Sequence, residues 1–240
     1  MTYFQGFVIP VKPDRKEAYR AMAAKAAPIF AEYGATRTVE CWEDDVPDGK
    51  VTDLRRAVAA EPGEKIVYSW VTWLDRATCD AAAEKLMADE RMQPDGDVPF
   101  DMKRMIYAGF EPVFERGDAV KAAGYVDGVV GPAPGDGKDT FTAHSEKLDS
   151  YFLDQGALRV MDGWGADVPD GKVTDFKRAV AAEAGEQVIF GWIEWPDKAT
   201  RDKAFEGMMQ NPELTAITPG FDMKRAIFGG FTPILDTDHQ

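Results

Sequence analysis

The chain opens on an alternating stretch, Tyr3 to Pro10, rich in aromatic and β-branched residues, which predicts a β-strand. Pro13-Asp14 marks a helix start, because proline is tolerated in a first turn and an acidic side chain there complements the helix dipole. Apolar residues at Tyr19, Met22, Ala26, Ile29, Phe30 and Tyr33 then recur with a helical period, and Gly34 is placed to cap the C-terminus. The pattern predicts a second strand over 36–43, followed by a turn at Pro47-Asp48-Gly49. A third strand follows over 65–74, a second helix from Asp75 to about Ala88, and a fourth strand from Met102 to Val113. The order is β-α-β-β-α-β.

The same pattern is then written again. Trp42-x-x-Asp45-Val-Pro-Asp-Gly-Lys-Val-Thr-Asp53 returns as Trp164-x-x-Asp167-Val-Pro-Asp-Gly-Lys-Val-Thr-Asp175, an offset of 122 residues (164 minus 42). That offset also carries Tyr3 onto Tyr125 and Trp70-x-x-Trp73 onto Trp192-x-x-Trp195. One residue is then lost, and Phe100-Asp-Met-Lys-Arg104 returns as Phe221-Asp-Met-Lys-Arg225. Two copies are too few for a solenoid, so each is expected to be a domain, 1–117 and 123–240, joined near 115–124.

Each copy reads as a ferredoxin-like α+β domain, with both helices on one face of a four-stranded sheet. The uncovered face must be buried, and the second copy is its natural cover. The expected architecture is an intramolecular pseudo-dimeric α/β barrel, with the two sheets packed face to face.

Charge narrows the function classes. A formal net charge of −14 opposes binding to nucleic acid and to anionic membrane surfaces, so neither is an expected partner. No stretch reaches the roughly 20 apolar residues that span a bilayer, and the N-terminus reads as a strand, not a signal peptide. Cys41 and Cys79 lack the spacing of a zinc site or a disulfide scaffold, which makes a reducing cytoplasm the simplest setting. No metal site and no cofactor are expected.

Gly6-Phe7-Val8, Glu40-Cys-Trp42, the Asp45–Asp53 block, Trp70-x-x-Trp73 and Phe100-Asp-x-Lys-Arg104 together resemble the bacterial DUF1428, or YbaA-like, family of dimeric α/β-barrel proteins. The resemblance covers both halves and implies the ferredoxin-like fold and barrel pairing. It brings no activity. Relatives sharing the barrel include monooxygenases and isomerases of hydrophobic compounds, an analogy of fold only.

Candidate chemistry follows two signals. From 45 to 61, fifteen of seventeen residues equal their counterparts 122 positions later, whereas across the first helix, 14 to 33, five of twenty do. The near-identical block holds Asp53 and Arg56, repeated as Asp175 and Arg178, which suit acid–base chemistry or anion binding. They equally suit an ion pair across a turn, or an arm clasping the other domain. The second signal is His144, on the first helix of the second copy where the first has Met22; an imidazole there could exchange protons at neutral pH. The expected catalytic set is His144, Asp175 and Arg178. The expected ligand-binding set is Trp42, Asp53, Arg56, Trp164 and Trp192, with packing as the competing role of the tryptophans. Trp70 and Trp73, three apart on one strand, should face opposite sides of the sheet. The resulting expectation is a protein that binds a small, partly apolar molecule in a pocket of the barrel, with cofactor-independent catalysis as its enzymatic form. The alternative is a non-catalytic interaction or assembly module with a filled core.

Overall fold

The computed structural model describes residues 2–93, 96–117 and 121–239. In the first half, β1 (Tyr3–Val11) leads through a 3-10 turn at Pro13–Arg15 into α1 (Lys16–Glu32) and β2 (Ala35–Asp45). The single-turn α2 (Leu54–Ala57), β3 (Lys65–Trp73), α3 (Arg76–Ala88) and β4 (Ile106–Gly117) complete it. The second half repeats this with β5 (Tyr125–Pro134), α4 (Lys138–Asp154), β6 (Arg159–Asp167), α5 (Phe176–Ala179) and β7 (Glu186–Trp195). It ends with α6 (Lys198–Gln210), an added turn α7 (Pro212–Thr215) and β8 (Ile227–Asp236). Gly34 and Gly156 follow the two long helices at φ +103°, the left-handed conformation that lets the chain reverse.

The strands form one closed barrel in the order β1-β3-β2-β8-β5-β7-β6-β4. Each half contributes a four-stranded ferredoxin-like sheet, and the two sheets join at both edges, β2 to β8 and β4 to β6. Closure leaves no free sheet edge. Two boundaries differ from expectation. The fourth strand begins at Ile106, not Met102, because the Asp101 side chain captures the Lys103 N–H (2.9 Å) and the Arg104 Nε–H (3.0 Å) and holds 101–104 as a turn. The start of the expected joining segment, Glu115–Gly117, is strand, paired with Met161–Arg159; residues 118–120 of it lie outside the described residues.

The barrel interior is packed with rings. Phe4, Tyr68, Trp70, Phe110, Phe190, Trp192 and Phe231 belong to one buried cluster. Trp70 stacks on Trp192 at 4.2 Å and Tyr68 on Phe190 at 4.5 Å between centroids, each pair drawn from the two halves. Gly6 and Gly128 make this possible: a Cβ at Gly6 would strike the Phe190 ring, and one at Gly128 the Tyr68 ring. Trp73 faces the other way and packs with Tyr3, Cys79 and Ala82 outside the barrel, beneath α3.

Two further devices lock the halves. The segments between β2 and β3, and between β6 and β7, cross: Thr52 Oγ1 donates to the Ala179 carbonyl (2.7 Å), and Thr174 Oγ1 to the Ala57 carbonyl (2.6 Å). At the β2–β8 seam the Arg37 guanidinium, only 3% exposed, donates to Glu194 Oε1 (2.7 Å) and Asp236 Oδ2 (2.7 Å).

Candidate functional site

The barrel interior is filled, and open space is found on the outer face of the first half's sheet. A cavity of about 530 Å³ sits under α1, walled by Phe7, Ile9, Met22, Phe30, Val71 and Phe100. The alternation of β2 builds its floor. Val39 and Cys41 turn into the barrel core, so Glu40 turns out under the helix. There it meets Tyr19 from α1 and Ser69 from β3.

Glu40 is 8% exposed, and its Oε2 accepts a 2.6 Å hydrogen bond from the Tyr19 hydroxyl. Burial pushes its carboxyl from an ordinary 4.5 up to about 7, against the opposing effect of hydrogen bonds from Tyr19 and Ser69. Burial likewise holds the Tyr19 hydroxyl well above its usual 10, so it stays the donor. An acid that changes charge near neutrality can accept or release a proton on whatever occupies the cavity.

The same place in the second half is built differently. Asp162 stands at the position of Glu40, Phe141 at that of Tyr19 and Gly191 at that of Ser69, each 122 residues on. Asp162 hydrogen-bonds Ser145 and Asp149, which replace Ala23 and Ala27. Burial, and then the neighbouring Asp162, drive Asp149 far above the usual carboxylate range, so the pair retains a proton between its two carboxyls. Gly191 has to be glycine, since a Cβ there would overlap Asp162 Oδ1. Beside this pair lies His144, its ring edge-on to Phe221 at 5.6 Å and hydrogen-bonded to the Thr218 backbone. Burial lowers its pKa, and its Nδ1 is buried without a protein partner.

The remaining sequence candidates lie apart from both places. Asp53 caps α2, accepting from the Arg56 N–H (2.8 Å) and the Gly49 N–H (3.2 Å), and Arg56 pairs with its own cap at 3.2 Å. Asp175 and Arg178 repeat this on α5, at 2.8 Å for the cap bond and 3.3 Å for the pair. Asp175 and Arg178 are thus not brought to His144, whose neighbours are Phe221, Asp162 and Thr218. Trp42 packs beside Tyr19 and Ala27 with Lys16 over its ring at 5.2 Å, and Trp164 packs with Phe141 and Ile189. Trp192 lies inside the barrel, its Nε1 donating to Glu194 Oε1 at 3.0 Å. Glu40, Tyr19, Ser69, Asp149 and Asp162 were not among the site residues expected from sequence, although Glu40 stood in the Glu40-Cys-Trp42 motif and Tyr19 in the helical period. The available signal was a charged residue, Glu40, alternating with Val39 and Cys41 in a strand otherwise buried on both faces.

Among the described residues no group of three or more His, Cys, Asp or Glu side chains is placed to hold a metal ion. No helix among them is long and apolar enough to cross a membrane. The profile of DUF1428, a protein family of unknown function, matches residues 2–102 and again residues 124–224. The chain belongs to the DUF1428 family. Its tandem form is evident against the uncharacterized protein YbaA of Escherichia coli (strain K12), which is 56% identical over 117 residues, 48% of this chain and 100% of YbaA. Among solved structures, a candidate monooxygenase from Lactobacillus acidophilus NCFM aligns over 98% of this chain and 95% of its own, with TM-score 0.58 and 11% identity. An anthrone oxidase-like protein aligns over 98% of this chain and 92% of its own, with TM-score 0.56 and 11% identity. At those identities the likeness is one of fold. The DUF1428 domain thus occurs here twice, and its two copies close a single dimeric-type α/β barrel within one chain.

Proposed function

We propose that this tandem DUF1428 protein binds a small, mostly apolar molecule in the first-half cavity, with Glu40 as the group that exchanges a hydrogen bond or a proton with it. One observation carries the reading: an ionisable carboxyl, buried and titrating near 7, faces about 530 Å³ of space walled by apolar side chains. In its catalytic form the reading is cofactor-independent acid–base chemistry, with Tyr19 and Ser69 holding the Glu40 carboxyl in place. The barrel's resemblance in fold to a candidate monooxygenase and an anthrone oxidase-like protein is compatible with a hydrophobic substrate and does not identify one. A reducing cytoplasm suits the free Cys41 and Cys79 thiols.

The test is native mass spectrometry of freshly purified protein beside the Ala26→Phe variant, whose added ring fills the cavity from its α1 wall. A reproducible small-molecule mass on the wild type, absent from Ala26→Phe, supports the reading. Identical clean masses for both proteins, with neither stabilised by any member of a library of small apolar compounds, sink it. A second reading, a non-catalytic assembly module, is favoured by the ring-filled barrel interior and the crossed segments.

A further inference from the structure

We infer that the ligand of this cavity is an apolar amine, bound as its ammonium ion with N–H groups donated to Glu40; the inference rests on the cavity being a binding site. Buried carboxylates in proteins are ordinarily paired with a cation, because an isolated charge in a poorly solvated place is strongly unfavourable. The buried Asp149 and Asp162 are bonded to each other, and three other buried carboxylates follow that rule: Glu194 has Arg37, Glu64 has Arg104 and Glu43 has Lys65 and Arg55. Glu40 does not. Its partners among the described residues are two hydroxyls, those of Tyr19 and Ser69, and both are spent as donors to it.

The floor therefore offers acceptors: the Glu40 carboxylate and the lone pairs of the Tyr19 and Ser69 oxygens. With Glu40 ionised, a carbonyl or carboxylate ligand would find no unspent donor on that floor. An ammonium would find the missing counter-charge and lone pairs for its three N–H groups. The walls suit the rest of such a molecule, since Phe7, Tyr19, Phe30 and Phe100 present aromatic rings to a cation and its apolar body. The other charged groups lining the cavity are already engaged. Arg91 is held by Glu32 and Asp89, both at 2.7 Å, Asp97 by Arg15 at 2.9 Å, and Lys25 has an interaction of its own. Cys41, next along β2, points into the barrel. The net charge of −14 favours the approach of a cation.

The probes are tryptamine, tryptophol and indole-3-propionate: one ring with a cationic, a neutral and an anionic end. Their affinities for wild type, Glu40→Gln and Ala26→Phe are measured by titration calorimetry from pH 6 to 8.5. Glu40→Gln keeps the shape and the Tyr19 hydrogen bond. Tryptamine is expected to bind wild type at least about tenfold more tightly than tryptophol, the worth of one charge-assisted hydrogen bond, and Glu40→Gln should erase the difference. Because the site must be ionised to take an ammonium, affinity should rise from pH 6 to about 8 and then level off. At pH 7, roughly half a proton should be released per tryptamine bound, read from two buffers of different ionisation enthalpy. Equal binding of all three probes, or a preference for indole-3-propionate, with loss in Ala26→Phe, overturns the amine and leaves the cavity as a site. No binding by any probe, or binding that Ala26→Phe leaves untouched, overturns the cavity reading and the amine with it.

Discussion

The two halves of this chain share a backbone plan and differ where a site would be. Beneath α1 the first half has Tyr19, Ala23, Ala27, Glu40 and Ser69; beneath α4 the second has Phe141, Ser145, Asp149, Asp162 and Gly191. The first set leaves a cavity with one acid on its floor. The second joins two acids to each other. Fusion explains how this can happen. Two identical chains must build two identical sites, whereas a single chain can keep one and rebuild the other. The difference teaches that the drift of the first helix is not loose constraint, since the differing residues set the chemistry beneath it: Tyr19 against Phe141, and Ala27 against Asp149.

The sharpest break of the symmetry is at the seam. Arg37 is buried between Glu194 and Asp236, whereas Arg159, its counterpart 122 residues on, lies 3.9 Å from Asp238 and is 21% exposed. Arg37→Ala should destabilise by about 3–5 kcal/mol, because Glu194 would be left buried without its cation. Arg159→Ala should cost under about 1 kcal/mol. Urea denaturation of the two variants compares them directly, and equal losses would remove the asymmetry.

Stability against pH separates the two sites next. The folded chain binds the Glu40 proton more tightly than the unfolded chain does. Stability from this group is therefore full below about 4.5 and falls as pH rises through about 7. The loss is about 3 kcal/mol, from a rise of about 2.5 units. Glu40→Gln should match wild type near pH 4.5 and be the more stable protein at pH 8. Asp149 is raised in the same sense, so Asp149→Asn should also gain stability on the alkaline side, and the double variant should gain more than either single one. Thermal melts from pH 4.5 to 8.5 decide it; a single variant that flattens the whole profile would assign all the dependence to one half.

Packing gives a smaller test. Gly191→Ser copies Ser69 into the second half, but its Cβ would collide with Asp162 Oδ1. A loss of about 1–3 kcal/mol is expected, as for other overpacked sites. Adding Asp162→Ala should recover part of it, since the Met161 carbonyl would still lie 2.9 Å from that Cβ. Failure to recover would mean that the collision lies elsewhere.

Much of this was legible in the sequence, for physical reasons that differ by element. Strand and helix order could be read because each element has its own hydrophobic period, and the barrel because a half-covered sheet repeated once has an obvious partner. The Asp101–Arg104 turn was missed because an Asp side chain bonding its own backbone leaves no trace in hydropathy. Arg104 and Arg225 recur because each reaches a carboxylate, Glu64 or Glu186, and a carbonyl, Ala59 or Ala181, across the same corner. The cavity was not legible. Glu40 is one of five charged residues in β2, and the packing of α1 over it, with no cation beside it among the described residues, is not visible in the sequence.

The smallest effect tests what near-identity between the copies means. The block from Asp45 to Glu61 suggested chemistry because it barely differs from its repeat. Its geometry has a second explanation. Each segment caps its own short helix with Asp53 or Asp175 and then hands a threonine hydroxyl to the other half. This contact is made twice, once by each copy, so both copies face the same requirement. Asp53→Ala and Asp175→Ala should each cost about 1 kcal/mol, the usual worth of an N-cap, and cost it equally. Neither should alter tryptamine binding, since neither lines the cavity. If Asp175→Ala abolished binding while the protein stayed folded, the crossed segments would belong to the site, and the division between the two halves would have to be redrawn.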